Sequence, residues 1–554
     1  MKQLRREIPS EPADRRLALL FACLSLIGAC DPSGADTGGD VCGADAYAHT
    51  TGDAVYVSAS CAALSGGGTA NGSLAKPFAD LSGAIAAATP GQTILVAAGT
   101  YAGPVLLADG VHLIGAGSDR TTVAATGDHV VRITGSASTA VSGVSIQGGA
   151  TTGISVTMAS VIFDDVIVAG MAGNGIDIEG SATVDLKSTA LIGNGGVGLV
   201  ARGTGKVSII EPTFSPVPTG GTDVIGIIEP TFSPKSHIAD NSGGGIAIIE
   251  PTFAPKGDDV EEAALVVRST DIDGNGRFGI GLWSAGARIE KSAIRNTIRG
   301  AKGMFADGIL VAAAKNAAAA AVPVKITIDA ESLLVGQKRT GILVTTATNL
   351  TVAGVVAANG QCGIWASGAS TVVHVSAGAM LHGNGMVGVA VSKGADLRVD
   401  GATIQQTTLF DTGAGGEDGA MGDGIGVYDG ARATIANTEL RDNTRAAIVI
   451  QNPAETINGD PDVLIEGTVV VGGKYGVVLN GAPMPESMAA GYERGDGDAK
   501  SDESDAGAND PGQDAGAGGG TDTAPAFGAP AGDLPVETSM CDAEAGDTAC
   551  VPEI

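Results

Sequence analysis

The chain has 554 residues, 86 of them glycine, only 3% aromatic residues and a formal net charge of −29. No basic surface is available to neutralise a phosphate backbone, which excludes a nucleic-acid binder. Glycine-rich punctuation between short Val and Ile runs, with no long amphipathic helical pattern, points to many strands and turns.

At the start, Lys2, Arg5, Arg6, Arg15 and Arg16 precede the apolar run "LALLFACLSLIGA", residues 17–29. The run is short for a membrane span and fits the apolar region of a secretory signal over 1–29. It ends in "IGAC", Ile27 to Cys30, which resembles the bacterial lipobox. That resemblance implies cleavage before Cys30, lipid attachment to it, and a membrane partner reached through the anchor, which more than one acyl chain makes stable. An ordinary signal with a chance cysteine is the alternative. Residues 30–54 read as a polar tether, and the expected location is a bacterial cell envelope, periplasmic or surface, with the leaflet left open. Export permits disulfides. Cys42 with Cys61 and Cys541 with Cys550 make two plausible local pairs, and Cys362 reads as a small buried residue.

Residues 55–101 form a distinct opening segment. Asp80 is placed to N-cap a short helix in which Leu81, Ile85 and Ala88 share one face.

A repeat then takes over. Gly-aliphatic pairs recur in "GNGIDI", "GVGLVA", "GGGIAI", "RFGIGL", "RTGILV", "QCGIWA", "MVGVAV" and "GDGIGV", with shortest gaps of 22 or 23 residues. The gap between residues 198 and 245 reads as about two periods. Asn194, Asn241, Asn275, Asn359, Asn384 and Asn443 each lie four residues before a Gly or, at residue 447, Ala that is followed by an aliphatic residue. Asn tolerates left-handed backbone and bonds both amide and backbone neighbours, so these six are expected to stack as a ladder at one turn of successive coils. A period this short, with two or three strands in it, describes a coil of parallel strands that needs neighbours above and below to bury its apolar face. A propeller blade needs about 40 residues.

With those motifs the chain resembles the right-handed parallel β-helix, or pectate-lyase-like, superfamily. The expected fold is all-β, a single-stranded right-handed parallel β-helix solenoid over 102–482. The segment 55–101, with "YV", "KPF", "PGQTILV", "GTY" and later "LIGAG", resembles the N-terminal DUF1565 segment of bacterial β-helix proteins. Its short helix is expected to cap the open end of the first coil. From 483 to 554 the pattern dissolves; residues 485–554 hold 16 acids and 2 bases. Such composition cannot offset chain entropy, so an acidic disordered tail is expected.

Enzymes of this superfamily act on polysaccharides with clustered carboxylates, often Ca²⁺, and Arg or Lys as base. The resemblance makes Asp164, Asp165, Asp271, Asp273 and Arg295 weak catalytic candidates. Alternation places Asp271 and Asp273 on the same side of a strand. Trp283 and Trp365 follow Gly-Ile pairs and read as wall or core. No metal motif stands out, and no cofactor is expected apart from Ca²⁺ as a minor alternative.

The phrase "IIEPTFSP" occurs at 209 and 227 and returns as "IIEPTFAP" at 248. Proline cannot donate to a ladder, so the chain is expected to leave its strands at Glu211, Glu229 and Glu250. Phe214, Phe232 and Phe253 are then expected in a row on stacked turns, a ridge for structure or weak protein contact. The leading functional reading is a monomeric, non-enzymatic cell-envelope lipoprotein whose rod binds a polysaccharide or protein. The alternative is a polysaccharide lyase or glycoside hydrolase.

Overall fold

The computed structural model describes residues 44–49, 53–64, 69–203, 205–210, 236–251, 263–300, 305–313, 323–411, 420–454, 462–480 and 492–494. Cys30, Cys42, Cys541, Cys550, Phe214, Phe232, Phe253, the signal and all but the 492–494 strand of the acidic tail lie outside these residues.

The described chain winds into a right-handed coil of parallel strands with three faces. Face 1 runs from Val55–Val57 through Leu265–Arg268 and Val372–Val375 to Val463–Glu466. Face 2 runs from Gly99–Ala102 through Thr270–Asp273 to Tyr492–Arg494. Among the described residues face 3 has 14 strands, from Val105–Leu107 to Tyr475–Asn480. Faces 1 and 2 meet at a shallow bend, because Ser138–Gln147 and Ser160–Ala169 each cross both as one strand.

Strand alternation makes the core. On face 3, Ile176, Leu199, Ile246, Ile280 and Ile309 stack in register, one per coil, and all are fully buried. Each coil's apolar residues thus close against the coils above and below. The 198–245 gap is one coil, not two periods: Val197–Arg202 pairs directly with Gly244–Ile249. The extra length sits between the face 1 strand Lys206–Ile210 and the face 2 strand Ser236–Ala239, where a bend accepts an insertion without breaking either ladder.

This also separates the repeated phrases. Ile209 pairs with Val267 on face 1, whereas Ile248 pairs with Leu282 on face 3. The first and third copies begin on different faces of one coil, and the turns that follow them lie outside the described residues. Ile248 points inward, fully buried, and Glu250 leaves the strand with φ 45.

The six asparagines lie at the corner between faces 2 and 3, all buried. Asn194 Nδ2 donates to Asn241 Oδ1 at 2.8 Å and Asn241 Nδ2 to Asn275 Oδ1 at 2.9 Å. Asn359 Nδ2 donates to Asn384 Oδ1 at 2.8 Å, and Asn443 Oδ1 accepts from Thr407 Oγ1 at 2.8 Å. Thr297 and Gln337 occupy the intervening ladder positions; Gln337 Oε1 accepts from Thr297 N at 2.9 Å, and Thr297 Oγ1 has no partner.

The glycine near the start of each face 3 strand, from Gly153 to Gly424, is required by the backbone carbonyl of the next coil, and an asparagine amide of that coil adds to the crowding where one is present. A Cβ at Gly424 would lie 2.6 Å from Ala447 O and 2.8 Å from Asn443 Nδ2. Ala447 replaces the glycine in the coil whose successor carries Gly473, not asparagine, at the ladder corner. A second ladder, of hydroxyls, lines the corner between faces 1 and 2. Thr189 N donates to Ser236 Oγ at 3.2 Å, Thr270 N to Ser292 Oγ at 3.2 Å and Ser292 N to Ser332 Oγ at 3.3 Å.

At the N-terminal end, Asp80 Oδ1 accepts from Gly83 N at 2.8 Å and caps the helix Leu81–Ala87. Leu81 and Ala84 bury against the core, with Ile85 and Ala88 packed at its edge. A second helix, Ala59–Leu64, precedes it. Order reaches into the segment read as tether: Ala44–Ala46 is a 3-10 turn, and Tyr47 packs edge-on against Tyr56 with ring centroids 5.0 Å apart. Cys61 is a bonded half-cystine whose expected partner, Cys42, is outside the described residues.

Candidate functional site

Three successive coils of face 2 bring His237, Asp271 and Arg295 together. The register pairs His237 with Asp271 and Asp273 with Arg295, and fully buried Ile238, Ile272 and Ile294 between them point inward. Asp271 and Asp273 therefore face outward together, as alternation requires. Arg295 reaches diagonally across one coil: its Nε donates to Asp271 Oδ1 at 3.1 Å and its Nη2 to Oδ2 at 2.6 Å. Arg295 Nη2 lies 3.8 Å from Asp273 Oδ2, and His237 Nδ1 lies 3.4 Å from Asp271 Oδ2. Asn296, just past the strand, donates from Nδ2 to Asp273 Oδ1 at 2.9 Å.

Asp240 completes the group. It follows the strand Ser236–Ala239, sits in left-handed backbone at φ 55 and donates its N–H to Asp273 O at 3.1 Å. Its conformation belongs to the corner, where each ladder asparagine is preceded by a left-handed residue; an aspartate adopts it at small cost.

The surroundings push the two carboxyls in opposite directions. For Asp240, burial and then the like charge of Asp273 raise the pKa above the ordinary value. For Asp271, burial works upward, but hydrogen bonds from His237 and Arg295 overcome it and hold the pKa below the ordinary value. The Asp271 hydrogen bond raises the pKa of His237, against the desolvation that lowers it. The arrangement thus offers one carboxyl whose pKa is raised, one whose pKa is lowered, and an imidazole whose Nδ1 lies 3.4 Å from Asp271 Oδ2.

The other candidates lie elsewhere. Asp164 and Asp165 are three coils earlier and do not join the cluster. Asp164 pairs in register with Ser142 and Lys187. Asp165 forms the bend, at φ 55, and accepts from Ser118 N at 3.1 Å and Ser118 Oγ at 2.6 Å. Among the described residues no group of acids, histidines and cysteines is arranged to hold a metal ion. Trp283 and Trp365 lie buried on the outer side of face 3, Trp283 edge-on to Phe278 with ring centroids 5.4 Å apart and Trp365 stacked on Tyr428 at 6.1 Å. Both form wall, not platform. The same side holds two ion pairs, Arg339 with Asp307 and Arg445 with Asp423, each aspartate fully buried. Cys362 is buried beside them, its thiol pushed up to about 12 by burial.

His237, Asp240 and Asn296 were not among the sequence candidates. The signal for Asp240 was its place immediately before ladder residue Asn241; nothing local marks His237, whose partners lie on other coils.

Comparison with curated proteins finds no match. Among solved structures, the A-module of mannuronan C-5 epimerase AlgE6 from Azotobacter vinelandii is 15% identical, with 75% of this chain and 93% of that one covered at a TM-score of 0.34. The Dettilon tailspike protein is 14% identical, covering 66% of each chain at a TM-score of 0.37. The catalytic unit of the GH87 α-1,3-glucanase from Streptomyces thermodiastaticus is 12% identical, covering 80% of this chain and 72% of that one at 0.32. The model of the right handed beta helix region matches residues 129–298 and 338–487, more than half of the chain. With its parallel three-faced coil and stacked corner ladders, the chain belongs to the right-handed β-helix family.

Proposed function

We propose that the chain is a glycoside hydrolase acting on a neutral polysaccharide, with the face 2 cluster as its site. The observation that carries this reading is the carboxyl cluster itself: Asp271 and Asp273 side by side on face 2, Arg295 engaging Asp271 through two hydrogen bonds, and Asp240 at the adjoining corner on the neighbouring coil, with Asp240 and Asp271 pulled in opposite directions. Glycoside hydrolysis needs one carboxylic acid to protonate the leaving oxygen and one carboxylate to meet the positive charge that develops on the sugar. Asp240 serves as the acid. Asp271, held ionised by Arg295, serves as the anionic partner, and Asn296 fixes Asp273 between them. His237, its Nδ1 turned to Asp271, presents Nε2 to a sugar hydroxyl. This favours the enzymatic alternative over a purely binding rod. A lyase acting on uronates fits less well, since elimination needs a cation for the substrate carboxylate. Arg295 is already engaged bidentately by Asp271, and the Asp273 carboxylate would repel an incoming anion.

Reducing-end release from neutral glucans, xylans and mannans tests the reading. Asp240→Asn should lower kcat by about 100-fold or more with KM little changed. The pH profile should have an acid limb below the ordinary carboxylate range, from Asp271, and an alkaline limb above it, from Asp240. No release from any neutral polymer, or a fully active Asp240→Asn, refutes the assignment.

Export and lipid anchoring at Cys30 are proposed with it, supported by the charged, apolar and "IGAC" segments of residues 2–30 alone.

A further inference from the structure

A groove of about 570 Å³ lies on the outer side of face 1, away from the cluster. Its floor is a row of outward residues in strict register, Thr351, His374, Arg398 and Thr434, one from each of four consecutive coils. Asn349 and Val372 line one side, and Asp400 and Ala436 the other. Beneath them Leu350 and Val399 belong to the core, so the row is held on rigid strands.

The row offers hydrogen-bonding groups that the protein itself leaves unused. Within the described residues the side chains of Asn349, Thr351, His374 and Thr434 make no hydrogen bond. Arg398 has 62% of its side chain exposed and touches Asp396 only at 3.4 Å. Asp400 accepts from Asn437 Nδ2 at 3.1 Å, which leaves it a second carboxylate oxygen. Hydrogen-bonding side chains therefore follow one another along the coil axis at the strand spacing, over about 14 Å. The lining holds one Arg and one Asp, so it carries no net charge of its own, in a chain whose net charge of −29 repels polyanions.

We propose that this groove is a non-catalytic glycan-binding site that holds a few consecutive rings of a neutral polysaccharide. Vicinal hydroxyls are both donors and acceptors, which is what Asn349, His374, Arg398 and Asp400 match, and Val372 and Ala436 meet the apolar edges of the rings. The groove begins two coils beyond the coil of Arg295, across the shallow bend between faces 1 and 2. A polymer held there is retained near the face 2 cluster. That last step rests on the hydrolase reading; binding in the groove does not.

Calorimetry on the full chain tests it, with cellohexaose, laminarihexaose, maltohexaose and mannohexaose as neutral probes and hexagalacturonate as the anionic comparison. At least one neutral hexasaccharide should bind. Arg398→Ala and Asp400→Ala, both on the outer side, should each weaken it by about tenfold or more, with the thermal midpoint unchanged. Asp271→Asn should leave this binding intact. Binding that survives there while no polymer is hydrolysed would leave the groove standing and remove the catalytic assignment. No binding of any neutral hexasaccharide, affinity unchanged in both groove variants, or tighter binding of hexagalacturonate overturns the proposal.

Discussion

Replacing Asn384 with alanine interrogates the corner ladder directly. Asn384 Oδ1 accepts from Asn359 Nδ2 at 2.8 Å and from Asn359 N at 3.3 Å, and its Nδ2 donates to Val356 O at 3.0 Å. Truncation leaves two buried donors of Asn359 without their partner, an amide N–H and a side-chain N–H, and removes one of the bonds to Val356 O. Each orphaned group costs about 1–3 kcal/mol. Relaxation of the corner recovers part of the sum, so the expected loss is about 3–5 kcal/mol, a large share of a stability of about 5–15 kcal/mol. Guanidinium unfolding of the full chain measures it, with tryptophan emission as the signal. Trp365 reports locally, since its strand Cys362–Ser367 follows Asn359 and pairs with the strand Val387–Ser392 that follows Asn384. Asn349→Ala, on the exposed outer side of face 1, is the control and should stay within about 0.5 kcal/mol of the native chain. An Asn384→Ala protein as stable as that control would refute the account of the ladder as a set of desolvated, partnered amides.

Gly424→Ala places its methyl carbon 2.6 Å from Ala447 O and 2.8 Å from Asn443 Nδ2, so the unfolding midpoint should fall, by about 1–3 kcal/mol; a neutral outcome would show that the corner yields freely. His237 should titrate by NMR above the ordinary imidazole value, and in Asp271→Asn the value should drop. The stabilisation from charged His237 is complete below the ordinary pKa and is lost as pH rises through the raised one, so His237→Gln should destabilise more at pH 5.5 than at pH 9. Cys362, its thiol pushed up to about 12, should resist thiol reagents at pH 8 in the native chain and react only on unfolding. Cys30→Ser should move the protein from the membrane to the soluble fraction of the producing cells; unchanged partition would remove the anchor.

The sequence by itself determined the coil, because a solenoid writes its architecture as a period. Most coils supply an inward aliphatic side chain, a corner asparagine and a glycine where the backbone of the next coil comes close. Asn194, Asn241, Asn275, Asn359, Asn384 and Asn443 were therefore legible one by one, and the capping role of Asp80 was legible from its local pattern. What the period does not encode is which outward side chains become neighbours across coils. Asp271 and Asp273 were visible as an alternating pair, and Arg295 as a nearby cation, but their meeting depends on a one-coil diagonal that no linear spacing states. His237 was hidden further, because 25 residues separate the end of its coil's face 1 strand at Ile210 from Ser236. An insertion at a corner changes sequence distance and leaves coil number unchanged, which is why the 198–245 gap read as two periods. Only the tertiary structure counts coils. The hydroxyl ladder, the Arg339–Asp307 pair and the face 1 groove are likewise products of stacking, since hydrogen bonding between parallel strands joins residues by register, and register is set by the closed core and not by position along the chain.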